Sequence, residues 1–150
     1  MNAQLWRKKG CKKGYFESGA LWWETPYIND KKHGIHKWYY ESGAVDWEIS
    51  YANDKKHGMK KEYYESGILH WKMYFENDKM HGIWNGYYES GALFSETIYK
   101  EDKKNGIEKV YYKSGVLRWE MPYENDKENG TCRKYCESGV LASEEVYSDW

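Results

Sequence analysis

The sequence predicts an all-β protein: an elongated, single-layer antiparallel meander of six stacked 24-residue β-hairpins, about twelve strands, twisted or curled. The first observation behind this is a period. One glycine recurs at positions 10, 34, 58, 82, 106 and 130, and a second at 19, 43, 67, 91, 115 and 139. Self-similarity at a fixed spacing of this size marks a repeat architecture. The second observation is alternation within each period. Val45-Asp46-Trp47-Glu48-Ile49-Ser50-Tyr51 alternates apolar with polar residues, the pattern of a strand with one covered face. The third is composition. The chain has 16 Tyr and 9 Trp, few Leu, Ile and Val, and a mean hydropathy of −1.06. That suits a thin sheet with wide amphipathic aromatic faces better than a thick oily core.

Taken in order, residues 1–9 form a short lead-in, whose Arg7-Lys8-Lys9 run reads as a solvated charged edge. The array follows as 10–33, 34–57, 58–81, 82–105, 106–129 and 130–150. In each copy a short Tyr- and Trp-rich first strand such as Ile35 to Tyr40 leads to Glu41-Ser42-Gly43. This triplet suits a three-residue hairpin loop, a type I turn closed by a left-handed glycine as a G1 bulge. Gly19, Gly43, Gly67, Gly91, Gly115 and Gly139 are therefore assigned as structural turn glycines. The second strand then runs to Asn53-Asp54-Lys55, where Asp takes the place that glycine has in the first turn.

A plain three-residue loop sets the register: Tyr39 opposite Val45, Lys37 opposite Trp47, Ile35 opposite Ile49. The copies agree with it, since Lys accompanies Trp and gives way to Asn85 or Arg133 where Trp gives way to Ser95 or Ser143. A lysine stem lying on an indole would explain the match. The same register puts Gly14 opposite Trp22 and Gly86 opposite Phe94, aromatic cover for two strand glycines. It also places all odd-numbered residues on one face. Trp23, Trp47, Trp71 and Trp119 would share that face with Tyr39, Tyr63, Tyr87 and Tyr111, and this row is the candidate partner-binding surface. The other face would carry a carboxylate row of Glu24, Glu48, Glu96, Glu120 and Glu144. Turn residues along the two long edges should make one edge basic and the other acidic.

Several function classes are disfavoured. A net charge of −1 does not give the basic footprint of a nucleic-acid binder. There is no apolar run of signal-peptide or membrane-spanning length. Cys132 and Cys136 lie four apart on one strand, ~13 Å between Cα atoms, and cannot form a disulfide. Cys11 lies at the far end of the array, so a reducing, cytoplasmic compartment is expected. His33, His57 and His81 occupy one repeat position, roughly 9 to 10 Å apart, too far to share a zinc ion. Equivalent carboxylates in equivalent environments do not make an acid–base pair. No enzyme, cofactor or metal site is expected.

The pattern G-x-x-x-x-Y-Y-E-S-G-x-L-x-W-E-x-x-Y-x-N-D-K-x-x-G, recurring six times over residues 10–147, resembles the MORN-repeat variant of bacterial proteins. Asp54 and its equivalents depart from the family's usual glycine, and Cys136 from its second tyrosine. The resemblance implies stacked hairpins and an interaction scaffold. For bacterial members it implies the antitoxin of a toxin–antitoxin pair. The partner is expected to be a protein, such as a cognate toxin, or a second copy of the chain. Two alternatives stand beside this. One is a peripheral lipid binder using the lysine-rich turns, from Lys31 and Lys32 to Lys127. The other is a carbohydrate or small-ligand binder using the tryptophans.

Overall fold

Each long strand pairs antiparallel with the next in chain order, so the connections never cross. The computed structural model describes residues 8–148. Most of the lead-in, Arg7 included, lies outside them. The long strands are Lys9–Tyr15, Leu21–Ile28, Gly34–Tyr39, Val45–Ala52, Lys55–Tyr63, Leu69–Glu76, Gly82–Tyr87, Leu93–Lys100, Gly106–Tyr111, Leu117–Glu124, Gly130–Tyr135 and Leu141–Tyr147. Four two-residue strands, among them Lys31–Lys32 and Lys103–Lys104, extend the Asn-Asp hairpins. All join one open sheet, the all-β hairpin meander expected.

At one edge Gly43 has φ 89° and donates its N–H to Tyr40 O at 2.9 Å, while Tyr40 N donates to Ala44 O at 2.8 Å. This is a type I turn with a G1 bulge, and it repeats around Gly67, Gly91, Gly115 and Gly139. The other turn is tighter than the sequence suggests. Asn53 and Asp54 both have positive φ, 51° and 69°, and Ala52 pairs directly with Lys55. Two left-handed central residues make a type I′ turn, the two-residue hairpin that matches strand twist. Asp is retained because it reaches backwards. Asp54 Oδ1 accepts the Lys32 N–H at 2.7 Å, and Asp54 N–H donates to Lys32 O at 3.0 Å. The same two bonds join Asp78 to Lys56, Asp102 to Met80 and Asp126 to Lys104. A glycine there would supply the φ but not the acceptor.

The register differs from the expected one after its first pair. Tyr39 stands opposite Val45, but Trp38 then pairs with Trp47, Lys37 with Glu48 and His36 with Ile49. Asp46 is an extra, unpaired residue. A bulge recurs at this position in the other five hairpins. Lys37 therefore does not lie on Trp47. Gly14 lies opposite Trp23 rather than Trp22, and Gly86 opposite Ser95 rather than Phe94. Aromatic cover of these glycines is real but comes from other rings. A Cβ on Gly14 would meet the Trp23 indole at 2.2 Å, and one on Gly86 would meet the Trp71 ring at 2.3 Å.

One inserted residue exchanges the faces of everything beyond it. The odd-numbered residues thus do not share a face. Trp23, Trp47, Trp71 and Trp119 lie with even-numbered first-strand residues such as His36, Trp38, Trp84 and Val110. Tyr39, Tyr63 and Tyr111 lie on the opposite face, where their hydroxyls reach Glu24, Glu48 and Glu96. The apolar residues that are buried, Ile49, Phe75, Val110, Met121 and Cys132, all belong to the tryptophan face, as do buried Thr25, His36, Ser95 and Thr97.

Candidate functional site: the aromatic face

The opposite face is best described first, because it fixes the register. One side chain per strand forms a ladder across it: Lys13, Glu24, Lys37, Glu48, Lys61, Lys72, Asn85, Glu96, Lys109, Glu120, Arg133, Glu144. Alternating signs put unlike charges opposite each other, the favourable cross-strand arrangement. Lys61 lies 3.3 Å from Glu48, and Arg133 lies 3.4 Å from Glu120 and 2.7 Å from Glu144. Lys72 breaks the alternation, and its next neighbour is Asn85, not another lysine. Asn85 thus answers Lys72, not Ser95. Tyr87, for which the equivalent upstream position holds Lys72 rather than Glu, has the Lys72 ammonium 5.7 Å from its ring instead. Burial, followed by the Glu24 carboxylate it donates to, pushes the Tyr39 hydroxyl up to about 12.

The tryptophan face carries two main rows. The row nearer the Glu-Ser-Gly edge reads Gly14, Trp23, Trp38, Trp47, Glu62, Trp71, Gly86, Ser95, Val110, Trp119, Lys134, Ser143. Its indoles are half-buried, because the described residues form a single layer and none of them lies above this face. Trp38 and Trp47 stack with ring centroids 4.3 Å apart. His36 packs among Trp23, Trp38, Trp47 and Tyr51, and shares a hydrogen bond with Thr25 through Nδ1. Its Nε2 is buried without a partner. Burial, helped by the Lys32 ammonium, holds this imidazole down at about 4. Cations rim the array: Lys32 over Tyr51, Lys56 over Phe75, Lys60 over Trp47 and Lys104 over Tyr123, at 5.1, 5.2, 5.4 and 4.6 Å.

A third aromatic row, at the turn, fastens each copy to the next. Tyr40, Tyr64, Tyr88 and Tyr112 donate their hydroxyls to the carbonyls of Tyr63, Tyr87, Tyr111 and Tyr135 at 2.8 to 2.9 Å. The sequence shows this row but not its bonds, which depend on the bulge. Cys136 takes the tyrosine's place in the final copy, where no described hairpin follows.

In copy four Ser95 stands where copies one, two, three and five have tryptophan, and a cleft of about 470 Å³ opens there. Trp71, Trp84, Phe94 and Trp119 wall it, and Ser95, Thr97 and Val110 floor it. Glu108, Lys104 and Arg118 supply charge.

The turn edges differ from the expected basic and acidic pair. The Asn-Asp edge is of mixed sign, since Asp30, Asp54, Asp78, Asp102 and Asp126 share their turns with the lysines and Glu101 and Glu128 join them. Cys11, Cys132 and Cys136 are free thiols. Among the described residues no cluster of His, Cys, Asp or Glu is placed to hold a metal ion.

Residues 32–53, 80–101 and 104–125 match the family model described as MORN repeat variant. Each segment is one hairpin closed by a Ser-Gly turn (Glu-Ser-Gly in the first two, Lys113-Ser114-Gly115 in the third), so matches at three repeats support the MORN-repeat family. MORN repeats are in general non-catalytic scaffolds that bind proteins or lipids. No curated protein matches the chain.

Proposed function

We propose that this chain is a protein-binding scaffold that engages its partner through the tryptophan face. The observation that carries this is the run of half-buried indoles from Trp23 to Trp119 on a sheet that has no second layer among the described residues. Large aromatic side chains are the usual anchors of protein interfaces. Tyr39, Tyr63, Tyr87 and Tyr111 leave the candidate surface, since they face the other way, and Trp38 and Trp84 join it. The mixed sign of the Asn-Asp edge favours protein over an anionic membrane.

The finer reading is the antitoxin of a bacterial, cytoplasmic toxin–antitoxin pair, and the sequence resemblance supports it. Masking a toxin needs an extended surface and no chemistry, which a ladder of similar hairpins supplies. The test is co-expression with the product of the neighbouring gene. Growth arrest by that product alone, relieved by this chain, is the expected result. Trp47→Ser and Trp71→Ser should then fold by circular dichroism yet lose both the relief and co-purification. Folded variants that keep both would remove the tryptophan face as the interface. Elution of the chain alone as a dimer that the same variants split would make a second copy the partner.

A further inference from the structure

The cleft at Ser95 has the outline of a missing ring. Along its row the side chains read Trp71, Gly86, Ser95, Val110, Trp119, so three small residues separate two indoles. Across four strand spacings this is roughly 19 Å. Trp71 leans over Gly86, close enough that any Cβ there would collide with its ring. The row therefore tilts into the gap from one side without filling it, and about 470 Å³ stays open. That volume lies within the range of ligand-binding clefts.

The polar groups decide what kind of ring fits. Glu108 is already engaged: Lys104 lies 2.6 Å from its carboxylate, and Thr97 donates to it at 3.1 Å. A cationic guest would have to displace Lys104. Two donors remain. Trp84 has its indole Nε1 buried without an acceptor. Arg118 is exposed on the bulge of its hairpin, near the Tyr112 ring, and has no carboxylate partner among the described residues. Lys104, Glu108 and Arg118 together leave one net positive charge at the cleft.

We propose that this cleft takes an aromatic side chain with an acidic neighbour from the partner protein, the ring sitting where copies one, two, three and five have their own tryptophan. The ring packs between Trp71, Trp84 and Trp119, and the carboxylate meets Arg118. This deepens the scaffold reading and rests on it.

The test uses the full chain, 15N-labelled, titrated with N-acetyl-Asp-Trp-amide and followed by the tryptophan indole N–H resonances. Saturable shifts that include Trp84 are expected. N-acetyl-Lys-Trp-amide should bind about threefold to fivefold more weakly at low salt, and Arg118→Gln should erase that difference. Ser95→Trp, which restores the row, should weaken binding roughly tenfold or more while the protein stays folded. If Ser95→Trp does not fold, Ser95→Leu fills part of the slot and reads the same way. Absence of saturable shifts, equal binding by the filled variant, or preference for the lysine peptide would overturn the assignment. Loss of partner binding in Trp71→Ser with no dipeptide binding would sink the cleft and leave the scaffold standing. The reverse result would sink the scaffold and leave the cleft as a small-ligand site.

Discussion

Tyr64 donates its hydroxyl to the carbonyl oxygen of Tyr87 at 2.9 Å, across 23 residues of chain. The donor belongs to one hairpin and the acceptor to the next, so the bond joins repeats rather than strands of one repeat. In an array stabilised by nearest-neighbour contacts, such bonds set the interface term.

Tyr64→Phe keeps the ring and removes only this bond. Stability to denaturant should fall by about 1 kcal/mol. Tyr88→Phe and Tyr112→Phe should cost similar amounts. Phe16, the first copy's natural variant, has no hydroxyl to lose. Unchanged midpoints in the three variants would assign the tyrosine row to packing alone.

At the opposite edge the two roles of Asp78 can be separated. It sits at φ 70° and its carboxylate accepts the Lys56 N–H at 2.8 Å. Asp78→Asn keeps both features and should be nearly neutral. Asp78→Gly keeps the conformation and should lose about 1 kcal/mol for the missing acceptor. Asp78→Ala adds left-handed strain and should be the least stable of the three. Chemical denaturation of the three variants checks the order.

Gly67 has φ 83° and nothing within 4 Å of where its Cβ would be, so substitution there meets strain but no clash. Gly67→Val should cost on the order of 1 to 3 kcal/mol, well above Ser66→Ala. Denaturant midpoints ordered the other way would remove the G1 bulge.

Whole repeats should be removable. Deleting residues 58–81 joins His57 to Gly82 and recreates an inter-repeat junction of the same form, so a shorter cooperative protein is expected. Deleting 58–69 takes away most of Lys55–Tyr63 and the first residue of Leu69–Glu76, and leaves the rest of that strand without its hairpin partner. That variant should melt without cooperativity in a thermal scan.

His36 predicts a pH dependence. Its imidazole sits at about 4 in the fold against 6.5 when free, so the unfolded chain binds the proton more tightly. The stability from keeping it neutral is complete above pH 6.5 and is lost as pH falls from there towards 4. The full loss is about 3 kcal/mol. Between pH 6.5 and 5, above the usual carboxylate range, the stability slope should flatten in His36→Phe.

The repeat length, the hairpin as its unit, the left-handed glycine after Glu-Ser and the alternating turn edges are all legible in the chain. Each depends on residue types fixed at fixed spacing. The candidate site was half legible. Trp23, Trp47, Trp71 and Trp119 do line one face, but Trp38 and Trp84 were missed as members of it and the tyrosines were wrongly placed beside them. The cause is the bulge three residues after each turn glycine. Its position holds Trp22, Asp46, His70, Phe94, Arg118 and Ala142, six different side chains, so no residue type announces it. Strand pairing has a side-chain period of two, and one unpaired residue therefore turns the rest of the strand over. What decides in favour of the bulge is spread across the whole sheet. It lines Lys13 to Glu144 into a ladder of mostly unlike charges and brings Trp38 and Trp84 of the first strands onto the face of the second-strand tryptophans, and such a sum over many neighbours is visible only once the strands are paired.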